Sequence, residues 1–152
     1  MRIRNAHDHD LAAILALQGR TPQAAQWMQA DYARLCSDPL GLVLVADLDA
    51  TSAPPLAGFA AFHRVIDEAE LRNIAVEPAY QRRGVGRKLL AEGRRQLLDC
   101  GVTRIYLEVR ASNFAAQQLY FSAGFSLHST RKDYYRDPLE DALVLSWARH
   151  DP

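Results

Sequence analysis

The sequence predicts one domain over residues 1–152. Its class is a mixed α/β (α+β) sheet of about seven strands with about four helices. Three observations carry that prediction. The length suits a single hydrophobic core. Val- and Leu-rich runs of strand length alternate with stretches of helical periodicity. Hairpin-length turns coexist with strand–helix–strand crossovers, which excludes a doubly wound parallel sheet.

The elements follow in order. "RIRNA", residues 2–6, reads as a short first strand. Asp8 is placed to cap a helix from His9 to about Leu17, with Leu11, Ile14, Leu15 and Gln18 at helical spacing. Thr21-Pro22 resembles an N-cap followed by Pro at the first helical position, so a second helix is expected from there to about Leu35. Trp27, Met28, Tyr32 and Leu35 then lie on or near one face. "GLVLVADL" is a strand, "DATSAPP" a loop, and "LAGFAAFHRVI" and "EAELRNIAV" continue an antiparallel meander. A Gly-rich turn leads into a helix from about Val85 to Cys100, and Gly101 sits where a left-handed C-terminal glycine belongs. "TRIYLEVR" is another strand. Asn113 opens a helix that reaches Ala123 and is closed by Gly124. "FSLHSTRKDYY" and "ALVLSWAR" form a final hairpin joined by "RDPLED".

Composition narrows the function. Apolar residues make up 49% and charged residues 24%, an ordinary globular balance. The formal net charge is zero, which argues against a broad nucleic-acid footprint. Arg82, Arg83, Arg87, Lys88, Arg94 and Arg95 nevertheless crowd one region, whose partner is expected to be a compact anion. Cys36 and Cys100 form neither a CxxC nor a metal-ligand spacing, so reduced thiols are expected. His7 and His9 form an HxH pair read as solvent-exposed, and His63, His128 and His150 show no metal spacing, so no metal is expected. No stretch has the roughly 20 apolar residues of a membrane span. The N-terminal "MRIRNAHDHD" lacks an apolar signal core, and a cytoplasmic protein is expected.

The most informative stretch is "NIAVEPAYQRRGVGRKLL", Asn73 to Leu90. The first turn of a helix exposes unpaired N–H groups and carries about half a positive charge. Glycines allow close approach of a ligand to the backbone. Strand, Gly-x-Gly turn and helix together make an anion cradle. It is not a Walker A loop, which needs four residues between its glycines and then Lys-Ser/Thr. Nor is it a dinucleotide fingerprint, because Leu89 stands where a third Gly or Ala is needed. The glycines alone leave open a solvated basic helix start.

The pattern Gln81-x-x-Gly84-x-Gly86, after a strand ending Val76-x-Pro78, resembles the acetyl-CoA loop of the GCN5-related N-acetyltransferase superfamily, and the order of elements matches that fold. A second stretch, "YLEVRASNFAAQQLYFSAGF", Tyr106 to Phe125, resembles the RimI-type ribosomal-protein alanine N-acetyltransferases. That likeness covers roughly residues 56 to 146 and includes "RKDYYRDPLEDALVLS". It implies that Arg82, Arg83, Gly84, Val85, Gly86 and Arg87 hold the coenzyme pyrophosphate. It implies that Ile74, Ala75 and Val76 offer backbone groups to the pantetheine arm, where two strands splay. It implies Glu108 as general base, acting through water, and Tyr120 as general acid near the sulfur. Asn113, Gln117 and Tyr120 share one helix face, which lets Asn113 meet the pantetheine amides. Tyr134 and Tyr135 precede a loop that in this family helps cover the acceptor.

Transfer to an amine needs a neutral nucleophile, a sink for its proton and an acid for the departing thiolate. An α-amine has a reference pKa near 8, against about 10.4 for lysine, so a modest base suffices for a protein N-terminus. The expected activity is therefore acetyl-CoA-dependent N-α-acetylation of a protein N-terminus, with the N-terminal alanine of the eighteenth small-subunit ribosomal protein as the implied acceptor. Two alternatives stay open. One is the same fold acting on a small amine such as a polyamine or aminoglycoside, which favours a deep acidic pocket. The other is a non-catalytic coenzyme-A-binding module. Asp67, Glu68 and Glu70 make an acidic patch that reads either as a solvated turn or as a contact for a cationic acceptor. Glu140 and Asp141 read equally as acceptor contacts or as hairpin loop. The first fifty residues match the RimI type poorly, and oligomeric state is not legible.

Overall fold

A computed structural model describes residues 1–49 and 51–150. Position 50, within the predicted 49–55 loop, and positions 151 and 152 at the end of the predicted domain lie outside the described residues. The strands are β1 (Arg2–Asn5), β2 (Gly41–Asp47), β3 (Leu56–Val65), β4 (Glu68–Val76), β5 (Arg104–Arg110), β6 (Ser126–Tyr135) and β7 (Glu140–Ala148). The helices are α1 (Leu11–Gly19), α2 (Gln29–Ser37), α3 (Val85–Asp99) and α4 (Phe114–Ser122). This is the predicted class and order of elements. All strands join one sheet in the order β1-β2-β3-β4-β5-β7-β6. None of the described helices is long and apolar enough to cross a membrane.

Strand alternation divides the core into two layers. Val43 and Val45 of β2 face α1 and α2, where Leu11, Ile14, Leu17, Tyr32 and Phe59 are buried. Leu44 and Ala46 face the opposite layer, with Leu89, Leu90 and Leu97 of α3. Gly93 lets α3 lie close to β3, since a Cβ there would stand 2.5 Å from the buried Phe62 ring. Gly93→Ala is therefore expected to destabilise the fold by about 1–3 kcal/mol through overpacking, measured as a shift of the urea midpoint.

The glycines expected to end two helices do so. Gly101 has φ +88° and Gly124 has φ +95°. Val102 N–H donates to Leu97 O and Gly101 N–H to Leu98 O, both at 3.0 Å, which closes α3 in a Schellman motif.

The N-terminal helices depart from expectation. Asp8 does not cap α1; residues Asp8–Asp10 form a 3₁₀ turn, and the Asp10 carboxylate accepts from His7 N–H at 2.8 Å while Arg4 grips it. The second helix begins at Gln29, not Pro22. Thr21 Oγ1 bonds back to Leu17 O at 2.6 Å and so closes α1 instead of opening α2. The chain from 20 to 28 is tied down as non-helical backbone. α2 starts only where the Asp31 carboxylate accepts from Met28 N–H at 2.8 Å. Met28, expected on a buried face, is 75% exposed.

Every neighbouring pair in the sheet is antiparallel except β4 and β5. These run parallel but pair only at Glu68–Arg104, Ala69–Ile105 and Glu70–Tyr106. Beyond Glu70 the two strands separate, and β5 from Leu107 to Arg110 bonds to β7 alone. The predicted splay is present. It opens at the C-terminal ends of the parallel pair, where α3 and α4 begin.

Candidate active site

The splay is bordered first by the start of α3. Gly84 is its N-cap with φ +81°, and Arg82 also has a positive φ of 63°. A left-handed arginine is strained by about 1–3 kcal/mol and marks a loop whose shape is imposed by more than local preference. No side chain caps α3. Among the described residues, the amides of Val85, Gly86 and Arg87 have no hydrogen-bond partner. Arg82, Arg83, Arg87 and Lys88 are exposed and form no ion pair there; Arg83 stands over the Tyr80 ring at 5.3 Å. The basic cluster is smaller than the sequence suggested. Arg94 donates to Ala123 O at 2.7 Å and packs over Trp147, and Arg95 pairs with Glu92 and Asp99. Gly86 serves packing: a Cβ there would meet Leu119 at 2.9 Å, so it sets how closely α3 and α4 approach.

The backbone of β4 forms the second border. Glu77 N–H donates to Ala57 O at 2.8 Å, so by ladder alternation the groups of Ala75 also turn toward β3. Ile74 and Val76 turn toward the gap. The Val76 carbonyl accepts from Gln81 Nε2 at 3.2 Å, and Ile74 N–H contacts the Asn73 side chain at 3.1 Å.

Helix α4 closes the gap from the other side. Asn113 is its N-cap, with Oδ1 accepting from Ala116 N–H at 3.1 Å. Gln117 is buried and donates to the carbonyls of Arg110 and Ala111, locking α4 to the end of β5. Tyr120 is 6% exposed and packs edge-on against Phe125. Its hydroxyl has no hydrogen-bond partner among the described residues, although no fully enclosed polar atom there lacks one. It therefore opens onto accessible space. Burial, and then the nearby Tyr135, push its phenol well above the usual tyrosine range.

Glu108 lies on the sheet face of α1 and α2, since Leu107 and Val109 on either side join the layer under α3. It lines an open groove of about 410 Å³ with His63, Glu68, Glu70, Tyr106, His128 and Arg131. Arg131 approaches its carboxylate at 3.5 Å. Tyr134 and Tyr135 cover one end. Glu108 raises the Tyr134 phenol, chiefly as an acceptor for its hydroxyl, although no bond of ordinary geometry joins the two. Tyr135 is pushed up to about 12, by burial first and then by the Glu108 charge. Tyr135 thus lies near enough to sense Glu108 and to be sensed by Tyr120. The structure brings the two residues singled out in the sequence to one locality, through a third.

Other residues resolve as structural. Glu140 and Asp141 belong to β7, not to a loop. Glu140 accepts from Ser112 N–H at 2.8 Å and from Arg110, which keeps its carboxyl below the usual range, and Asp141 accepts from Asp133 N–H. Cys36 and Cys100 are free. Arg131, His63, Tyr106 and His128 carried no sequence signal; only the proximity of β3, β5 and β6 puts them beside Glu108.

A seven-stranded mixed sheet, split between its parallel strands beside an uncapped cationic helix start, defines an acetyl-transferring enzyme. The chain belongs to the acetyltransferase (GNAT) family, whose profile matches residues 9–125. It is similar to the [ribosomal protein bS18]-alanine N-acetyltransferase of Escherichia coli (strain K12), at 48% identity over 93 residues. That segment is 60% of this chain, and it spans less than two thirds, 63%, of the relative. A putative [ribosomal protein bS18]-alanine N-acetyltransferase of Bacillus subtilis (strain 168) is 30% identical over 143 residues, 94% of this chain and 92% of the relative. In three dimensions the fold matches the crystal structure of the Escherichia coli ribosomal-protein-S18-alanine N-acetyltransferase, with a TM-score of 0.84 and 36% identity over 99% of this chain and 95% of that one.

Proposed function

We propose that this protein is an acetyl-CoA-dependent N-α-acetyltransferase whose acceptor is a protein N-terminus, the N-terminal alanine of ribosomal protein bS18. One juxtaposition carries the reading. An unpaired cationic helix start lies at one side of the β4–β5 gap, and a carboxylate-bearing open groove lies at the other. The names of the relatives at 48% and 30% identity support the acceptor. A groove reaching from His63 on β3 to Arg131 on β6 suits an extended peptide better than a small amine, which calls for a deep pocket.

The residues present fit the coenzyme. Its pyrophosphate suits the free amides of Val85, Gly86 and Arg87 and the cations Arg82, Arg83 and Arg87. Its pantetheine arm suits the outward backbone of Ile74 and Val76, and Asn113 at the head of α4. When bound, the coenzyme supplies an acetyl thioester. Glu108 accepts the proton of the attacking α-amine through a water. Tyr120, kept protonated by burial, donates its hydroxyl hydrogen to the departing sulfur. Tyr134 and Tyr135 cover the acceptor. Arg87→Ala is expected to weaken acetyl-CoA binding roughly tenfold at low ionic strength and less at high salt, as a phosphate contact requires; titration calorimetry at two salt concentrations checks it.

The deciding experiment is mass spectrometry of a peptide copying the bS18 N-terminus and carrying one internal lysine, incubated with the protein and acetyl-CoA. Acetylation confined to the α-amine supports the proposal. An unmodified peptide in the presence of measurable acetyl-CoA binding refutes the acceptor.

A further inference from the structure

Residues 20–28 have no regular structure, yet they are fastened to β4 at three points, and the cause lies in β4 itself. Its ladder pairs Phe62 with Leu71 and Ala61 with Asn73, so Arg72 is an extra residue, a β-bulge. Neighbours on a regular strand point to opposite faces. Here Leu71 enters the layer under α3, while both Arg72 and Asn73 reach the segment before α2.

Asn73 is 5% exposed and fully bonded. Its Nδ2 donates to Ala25 O at 2.9 Å, and its Oδ1 accepts from Ala25 N–H at 3.0 Å. One side chain thus grips both polar groups of Ala25, as a neighbouring strand would. Nδ2 also donates to the Tyr32 hydroxyl at 2.8 Å. Tyr32 in turn donates to Gln18, and Gln18 donates to Trp27 O at 2.9 Å. The Arg72 guanidinium stands 5.8 Å from the centre of the Trp27 ring. Arg20 forks onto the buried Glu77 carboxylate at 2.7–3.1 Å. The result is a half-buried Trp27 and an exposed Met28 held beside the β4–β5 gap, on the sheet face that carries Glu108.

We infer that Asn73 is a positioning residue for the acceptor: through Ala25 it holds Trp27 and Met28 as one apolar wall of the acceptor site. This rests on the peptide-acceptor reading above. Ordering a backbone residue costs about 1–2 kcal/mol of entropy. The Asn73 bonds meet that cost on folding, so it is not drawn from acceptor binding. Glu108 and Tyr120 are untouched, so the effect falls on KM and not on kcat.

The test compares Asn73→Ala with Tyr32→Phe, which disturbs the same buried network but leaves both Ala25 bonds in place. Asn73→Ala is expected to raise KM for the bS18 peptide about tenfold, as for one residue set free. It should leave kcat within about twofold and acetyl-CoA affinity unchanged, and it should speed hydrogen exchange at the Ala25 amide. Tyr32→Phe is expected to lower the melting temperature while leaving KM and Ala25 exchange as in wild type. An unchanged KM in Asn73→Ala overturns the inference, and so does an equal rise in Tyr32→Phe. Should Asn73→Ala fail to fold, Arg72→Met at an exposed position loosens the same wall, and an unchanged KM there also overturns it. A wild type that leaves the peptide unmodified refutes the acceptor reading instead; Ala25 exchange in Asn73→Ala then decides the anchoring alone.

Discussion

Glu108→Gln is expected to slow acetylation of the bS18 peptide at neutral pH by roughly 100-fold or more, the range of a positioned general base. That is at least about 2.7 kcal/mol of barrier. Acetyl-CoA affinity should stay as it is, because Glu108 lies across the gap from the α3 mouth. Stability should also stay. The Arg131 contact at 3.5 Å joins a guanidinium that is 58% exposed, and such pairs contribute about 1 kcal/mol or less. The pH profile carries the sharper test. An α-amine with a reference pKa near 8 sheds its own proton as pH rises, so the deficit should shrink between pH 7 and 9. Steady-state rates across that interval measure it. A deficit that stays constant with pH means that Glu108 does not take the proton, and a loss of acetyl-CoA binding assigns it a structural role.

Tyr120→Phe is expected to lower kcat by roughly 100-fold with little change in either substrate's affinity. The ring is a core element, 6% exposed and packed on Phe125, and phenylalanine preserves that packing. The hydroxyl has no partner among the described residues, so deleting it leaves no orphaned group behind and should cost under about 1 kcal/mol of stability. A bond that forms only as charge develops on the departing sulfur stabilises the transition state without tightening the ground state. Single-turnover kinetics at saturating acetyl-CoA separate this from slow product release. An unchanged single-turnover rate removes Tyr120 from the chemistry.

The start of α3 was legible because everything that shapes it is local. A left-handed Gly84, exposed cations on either side of it and an apolar helical stripe all sit within one stretch of chain. The helix stops at Gly101 and Gly124 were legible for the same reason. The start of α2 was misread because Thr21 has two chemically equivalent uses. A threonine before proline can cap the helix that follows or close the one that precedes it. The Leu17 carbonyl was the nearer partner. Arg94 and Arg95 were misplaced in the anion cluster because sequence crowding does not say which side of a helix a cation leaves. Arg94 found Ala123 and Trp147, and Arg95 found Glu92 and Asp99.

By itself the sequence determined the order of elements, the class of sheet, the glycine-led turn into α3 and the candidate pair Glu108 and Tyr120, since periodicity and backbone preference act over a few residues. Tertiary structure decided three other things. It separated β4 from β5 after Glu70, it turned Arg72 and Asn73 to one face through a bulge, and it brought β6 close enough to set Arg131 and Tyr134 against Glu108. Each depends on register between strands far apart in the chain. A one-residue shift in register reverses which face every side chain meets, and only the packing of both core layers selects one register over the other.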